Sequence, residues 1–115
     1  MSVKIYHNPR CSKSRQTLQL LEENGVQAEV IQYLKTPPTA DELDTILTLL
    51  DLQPRELMRT REAEYKATGM DNPDLDRGAL IAGMVNTPKL IERPIVLANG
   101  KAAIGRPPES VLDIL

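Results

Sequence analysis

One cysteine, one histidine and no phenylalanine or tryptophan stand in a chain of 115 residues. The single cysteine, Cys11, excludes an internal disulfide and any CxxC pair. With only His7 beside it, a zinc cluster has too few soft ligands, so no metal site is expected. Three tyrosines are the whole aromatic complement. Stacking platforms for single-stranded nucleic acid are therefore missing, and the core must be built from Leu, Ile, Val, Met and Ala. An excess of one charge is lacking too: 14 basic and 16 acidic side chains leave a net −2. That gives no electrostatic case for nucleic acid or an anionic membrane. No apolar run approaches a membrane span, and no glycine-rich phosphate loop occurs. The N-terminus enters a strand pattern directly, without the apolar segment of a signal peptide. The length predicts one domain over residues 1–115, and these absences predict a reducing, cytoplasmic setting with neither nucleic acid nor membrane as partner.

What is present is a clear order of elements. Val3 to Tyr6 reads as a strand and Ser12 to Asn24 as a helix closed by Gly25. Ala28 to Tyr33 reads as a second strand with Val30 and Ile31 at its apolar centre. Strand–helix–strand of this length predicts a parallel pair. Thr36-Pro37-Pro38 then breaks the chain. Thr39 and Glu42 form a capping box ahead of Leu43, Ile46, Leu47 and Leu50 at helical spacing. Pro54 suits the first position of a short helix. Glu62 to Thr68 suggests another, and Asn72-Pro73 opens one more to about Asn86. Asn99-Gly100 lies between Ile95-Val96-Leu97 and Lys101 to Ile104, a strong hairpin signal. Glu109 to Ile114 predicts a terminal helical turn or two. The fold class is α/β. The predicted architecture is a thioredoxin-like mixed sheet of about four strands. An all-helical insertion, about residues 39–88, separates the β-α-β half from the β-hairpin-α half. Topology of this kind says little about chemistry.

Cys11 sits where the first strand gives way to the first helix, behind His7-Asn8-Pro9-Arg10. A first helical turn offers unpaired N–H groups and partial positive charge. Both favour the thiolate, as do Arg10, Lys13 and Arg15 nearby. His7 and Ser14 are candidates to support the same group by hydrogen bonding.

Three arginines stand where they can serve an anion. Arg93 precedes Pro94 and Arg106 precedes Pro107, so each has a restricted, extended backbone. Arg93 lies just before the third strand and Arg106 just after the fourth. Arg59 ends the short helix opened by Pro54. Guanidinium forks match the oxygens of a tetrahedral oxyanion and do not lose their charge. The C-x5-R loop of tyrosine phosphatases is absent: Thr17 holds that position, and Arg15 gives only C-x3-R.

The segment His7-Asn8-Pro9-Arg10-Cys11-Ser12-Lys13-Ser14-Arg15 resembles the nucleophile loop of the glutaredoxin-dependent arsenate reductase family. Leu57-Met58-Arg59, Leu90 to Val96 and Gly105-Arg106-Pro107-Pro108-Glu109 resemble its other motifs, in order over nearly the whole chain. Ser12-Lys13 departs from the Gly-Thr often found after the cysteine. The resemblance implies that Cys11 is the nucleophile toward arsenate. Arg59, Arg93 and Arg106 would bind the oxyanion, while His7, Ser14 and Arg15 would support a lowered thiol pKa. Pro94 would be the cis-proline beside the site. It also implies glutathione as co-substrate, glutaredoxin as protein partner and no bound cofactor. Three rival readings stand beside it, the first of which shares the fold. The first is an Spx-type regulator that binds RNA polymerase without catalysis, although Ser14 stands where such regulators usually carry a second cysteine. The second is a different glutathione-linked thiol oxidoreductase, which would not need three arginines. The third, a phosphate- or sulfate-binding sensor, would need the arginines but no reactive thiol.

Overall fold

The computed structural model describes residues 2–115. Four strands form one mixed sheet: β1 (Lys4–His7), β2 (Glu29–Gln32), β3 (Ile95–Ala98) and β4 (Lys101–Ile104), in the spatial order β2-β1-β3-β4. β1 runs parallel to β2 and antiparallel to β3, and β3 pairs antiparallel with β4. Five helices accompany them: α1 (Ser12–Glu23), α2 (Ala40–Leu50), α3 (Pro54–Leu57), α4 (Ala63–Ala67) and α5 (Arg77–Asn86). Short 3₁₀ segments cover Pro88–Leu90 and Pro108–Ile114. The mixed α/β sheet expected from the sequence is the one that forms.

Two units are distinguished by their internal packing. One comprises the chain up to Thr36 together with Arg93–Leu115, and the other comprises Pro37–Glu92. The first holds the sheet, α1 and the terminal 3₁₀ segment. Its core joins Val3 and Ile5 of the first strand region, Leu21 of α1, Val96 and Ala98 of β3, and Val111 and Ile114. Strand alternation explains this set, because successive side chains point to opposite faces. Ile5 and His7 share one face of β1, Val3 just before it continues the same alternation, and the pairing of Ile5 with Val96 puts Val96 on that face too.

The second unit is all-helical. Thr39 Oγ1 accepts from Glu42 N at 3.1 Å, and Glu42 Oε1 accepts from Thr39 N at 3.2 Å, so the expected capping box forms. Leu43, Ile46 and Leu47 are the buried face of α2. Pro54 opens α3 as expected, and Met58 bridges Ile91 in an antiparallel pair.

Two elements depart from expectation. β2 spans only Glu29–Gln32, and Val30 is 44% exposed rather than a buried centre. As an edge strand, β2 has a neighbour on one side only, so an apolar run there does not imply burial on both faces. α5 starts at Arg77, not at Asn72, because Asp76 is its cap: Asp76 Oδ1 accepts from Ala79 N at 2.8 Å. Asn72 instead closes a local turn through Oδ1 to Asp74 N at 3.0 Å. The hairpin turn is as predicted, with Asn99 at φ 55° and Gly100 at φ 70°. Both central residues of a type I′ turn need positive φ.

Leu21 is fully buried at the centre of the sheet unit's core. Leu21→Ala is therefore expected to lower unfolding free energy by about 2–5 kcal/mol in a urea titration. A loss under about 1 kcal/mol would mean that α1 does not pack on the sheet in this way.

Candidate active site

β1 delivers the loop that carries the thiol. Cys11 N donates to Asn8 O at 3.0 Å, and Arg10 N donates to Asn8 Oδ1 at 3.0 Å, folding the loop back on itself. Cys11 is the N-cap residue of α1, with φ −93° and ψ 122°. A helix N-cap residue keeps an extended backbone while the N–H groups of the next turn lie unpaired beside its side chain. The thiol is free and only 7% exposed. Burial alone would push the thiol pKa up. Backbone hydrogen bonding from Ser14, the charge of Arg93, backbone hydrogen bonding from Lys13 and the charge of Arg106 outweigh it together, and the net direction is down.

The arginines reach the thiol because of sheet order. Tyr6 pairs with Ile95 and Ile95 pairs with Ile104, so the start of β3 and the end of β4 lie at the end of the sheet where β1 stops. Arg93 and Arg106 flank those two strand ends. Arg106 Nη2 lies 3.6 Å from Cys11 Sγ, while its Nε donates to Arg93 O at 2.9 Å. The Arg93–Pro94 bond is cis, and so is Arg106–Pro107, which the sequence reading did not anticipate.

His7 and Ser14 form one buried unit. Ser14 Oγ and His7 Nδ1 are 2.6 Å apart, and Ser14 Oγ also accepts from Asn8 N at 3.0 Å. Burial lowers the His7 pKa, with the Arg15 charge adding to the same effect. The neutral imidazole follows, hydrogen-bonded to Ser14 Oγ through Nδ1. His7 therefore brings no positive charge to the thiol. It holds the Ser14 end of the first helical turn. Arg15 Nη1 donates to Pro9 O at 2.9 Å and braces the loop from outside.

Arg59 belongs to the helical unit. Its Nη2 pairs with Glu62 Oε1 at 2.6 Å, and its backbone N donates to Leu90 O at 2.7 Å. Glu62 also faces Lys89, which pairs in turn with Glu64 at 3.1 Å. Within the sheet unit, Cys11 feels the charges of Arg93 and Arg106, and Ser14, hydrogen-bonded to His7, offers its backbone N–H to the thiol. Thr17 and Gly105 were not foreseen. Thr17 is fully buried on α1, and a Cβ placed on Gly105 would collide with Thr17 Oγ1. The available signal was the helical spacing of Cys11, Ser14 and Thr17, small side chains on one face.

Among the described residues, no three His, Cys, Asp or Glu side chains are grouped to hold a metal ion. Nor is any helix among them long and apolar enough to cross a membrane.

A thioredoxin-like sheet with one arginine-flanked thiol at a helix N-terminus defines the class, and comparison with known proteins narrows it. The ArsC family model matches residues 6–114. An uncharacterized protein of Escherichia coli strain K12, YfgD, is 59% identical over 98% of this chain and 96% of its own. An arsenate reductase of Neisseria meningitidis serogroup A is 54% identical, over 98% of this chain and 97% of its own. The solved structure of an arsenate reductase from Vibrio cholerae superimposes with a TM-score of 0.96 at 52% identity, covering 100% of this chain and 98% of that one. This chain belongs to the ArsC family.

The lowered pKa of His7 gives a pH prediction. Near its ordinary value of about 6.5, the unfolded chain takes up a proton that the folded chain resists. Folding stability is then full above that pH and falls as pH drops below it. Urea titrations of the wild type at pH 7.5 and 5.5 should show this loss, and His7→Asn should flatten it. An unchanged slope in His7→Asn would mean that His7 is not held neutral by the fold.

Proposed function

We propose that this chain is an arsenate reductase that works through the single thiolate of Cys11 and draws its electrons from glutathione and glutaredoxin. The observation that carries the reading is the placement of Cys11 Sγ at the N-cap of α1, 3.6 Å from Arg106 Nη2. Family membership and relatives named arsenate reductase support the substrate.

The chemistry starts with attack of the Cys11 thiolate on arsenic. The S–As bond forms, and one arsenate oxygen leaves as water after protonation. Arsenic stays pentavalent in this adduct. Glutathione then adds its sulphur to arsenic and displaces a second oxygen as water. A glutaredoxin thiolate attacks the glutathione sulphur, giving a glutathione–glutaredoxin disulfide. The electron pair of the broken S–As bond remains on arsenic, which becomes trivalent. Water cleaves the Cys11–As bond, arsenite leaves and the thiol returns. External thiols are required because the chain has no second cysteine to resolve the adduct.

Arg93 and Arg106 would meet the charge on the arsenic oxygens, with their orientation set before the substrate arrives. Arg59 keeps its part in this reading on the Leu57-Met58-Arg59 motif alone. His7, Ser14 and Arg15 shape the loop and first helical turn. The setting that this electron supply needs is the reducing cytoplasm.

The test is arsenate-dependent NADPH oxidation coupled through glutathione reductase, glutathione and glutaredoxin. Wild type should turn over only when arsenate and glutaredoxin are both present. Cys11→Ser should abolish turnover, and Arg106→Ala should lower kcat/KM by about 100-fold or more, the scale for losing one preorganised donor. Absence of arsenate turnover by folded protein with a free thiol would overturn the reading in favour of another thiol substrate or a non-catalytic regulator.

A further inference from the structure

Helix α1 presents more than its first turn to the site. Ser14, Thr17 and Leu21 form its buried face, and all three are fully enclosed. Ser14 meets His7, and Leu21 enters the sheet core. Thr17, between them, faces Gly105. Its hydroxyl donates to Lys13 O at 2.8 Å, which fixes its rotamer, whereas Gly105 O is at the 3.5 Å limit of a hydrogen bond. The contact with Gly105 is therefore mainly one of shape.

Gly105 is held on two sides. A Cβ there would collide with Thr17 Oγ1, and it would lie 2.8 Å from Pro94 Cγ and 3.0 Å from Thr17 Cγ2. Only glycine permits so close an approach of backbone to neighbouring atoms. Gly105 N donates to Pro94 O at 2.9 Å, and Arg106 N donates back to Ile104 O at 2.9 Å. The latter bond spans three residues with Gly105 at the centre, a tight γ-type turn. Immediately beyond this turn Arg106 is gripped by Arg93 O through Nε and extends Nη2 toward Cys11 Sγ.

We propose that Thr17 and Gly105 are positioning residues: the close contact between α1 and the Gly105 turn aims the Arg106 guanidinium at the Cys11 thiol. Cys11 caps the helix that carries Thr17, so one element presents both the thiol and the wall against which the arginine's turn rests. The distance from arginine to sulphur is thus set by packing rather than left to a flexible side chain. This inference rests on the proposed function only in taking Cys11 as the working thiol.

The experiment is the pH profile of Cys11 alkylation by iodoacetamide, which reports the thiolate directly. Arsenate is absent from it, so failure of arsenate turnover and failure of this proposal are separate results. Gly105→Ala should move the profile to higher pH and slow alkylation at pH 6 severalfold, as Arg106→Ala does. The combination Gly105→Ala with Arg106→Ala should be no slower than Arg106→Ala alone, because residues that act through a common group are not additive. Thr17→Ala added to Gly105→Ala should recover part of the loss by opening space on the α1 side. A wild-type profile in Gly105→Ala would overturn the proposal. So would a Gly105→Ala effect that is undiminished in the Arg106→Ala background. Should Gly105→Ala not melt cooperatively, Thr17→Ala, which only removes atoms, runs the same cycle. It should slow alkylation in the wild-type background and not in Arg106→Ala, and equal slowing in both would overturn the proposal.

Discussion

Favouring the charged form of a nearly enclosed thiol is the constraint on which the rest of the sheet unit depends. A buried anion is unfavourable unless donors and opposite charges surround it. Cys11 is nearly enclosed, and that enclosure by itself favours the neutral thiol. The compensation comes from two directions. One is the start of α1, whose backbone N–H groups at Lys13 and Ser14 need acceptors in any case. The other is the pair of guanidinium charges on Arg93 and Arg106. Neither direction requires the loop itself to be charged.

Those two directions meet because of the strand order. β1 lies between a parallel neighbour and an antiparallel one. The parallel neighbour follows α1 in the chain, so α1 begins at the end of β1. The antiparallel neighbour β3 begins where β1 ends, and the hairpin returns β4 to the same end. One end of the sheet therefore receives the N-terminus of α1, the approach to β3 and the exit from β4. Arg93-Pro94 and Arg106-Pro107 occupy that approach and that exit. The Nε contact of Arg106 with Arg93 O joins them, so the Arg93 backbone helps to place the Arg106 guanidinium.

The legible parts of this arrangement were those specified by local chemistry. Asn99-Gly100 announced the hairpin because the I′ turn asks for positive φ at both positions. Thr39 and Glu42 announced α2 because their side chains and backbone satisfy one another. Cys11 stood out by its charged flanks, and Arg93 and Arg106 by the prolines after them. What escaped depended on distant partners. Val30 looks like core until β2 is known to be an edge. Asn72 is an adequate cap on its own, and only the competing Asp76 displaces it. Thr17 and Gly105 are 88 residues apart in sequence. Their fit is a matter of shape between surfaces, and neither residue type announces it. Of the candidate site, the charges were therefore readable and the spacers between them were not.

The division of labour between histidine and arginine has a physical rationale. A histidine cation beside the thiol would lose its charge near neutral pH, and its support of the thiolate would vary with conditions. Here burial keeps His7 neutral, and Ser14 ties it to the first turn of α1. The positive charge comes instead from guanidinium groups, which stay protonated across the whole range in which a thiol titrates. Support for the thiolate is then a property of geometry rather than of solvent pH. It also means that the spacing between arginine and sulphur becomes the quantity the fold must control. A buried helix face, a glycine with no room for a side chain and a backbone carbonyl gripping Arg106 all act on that spacing.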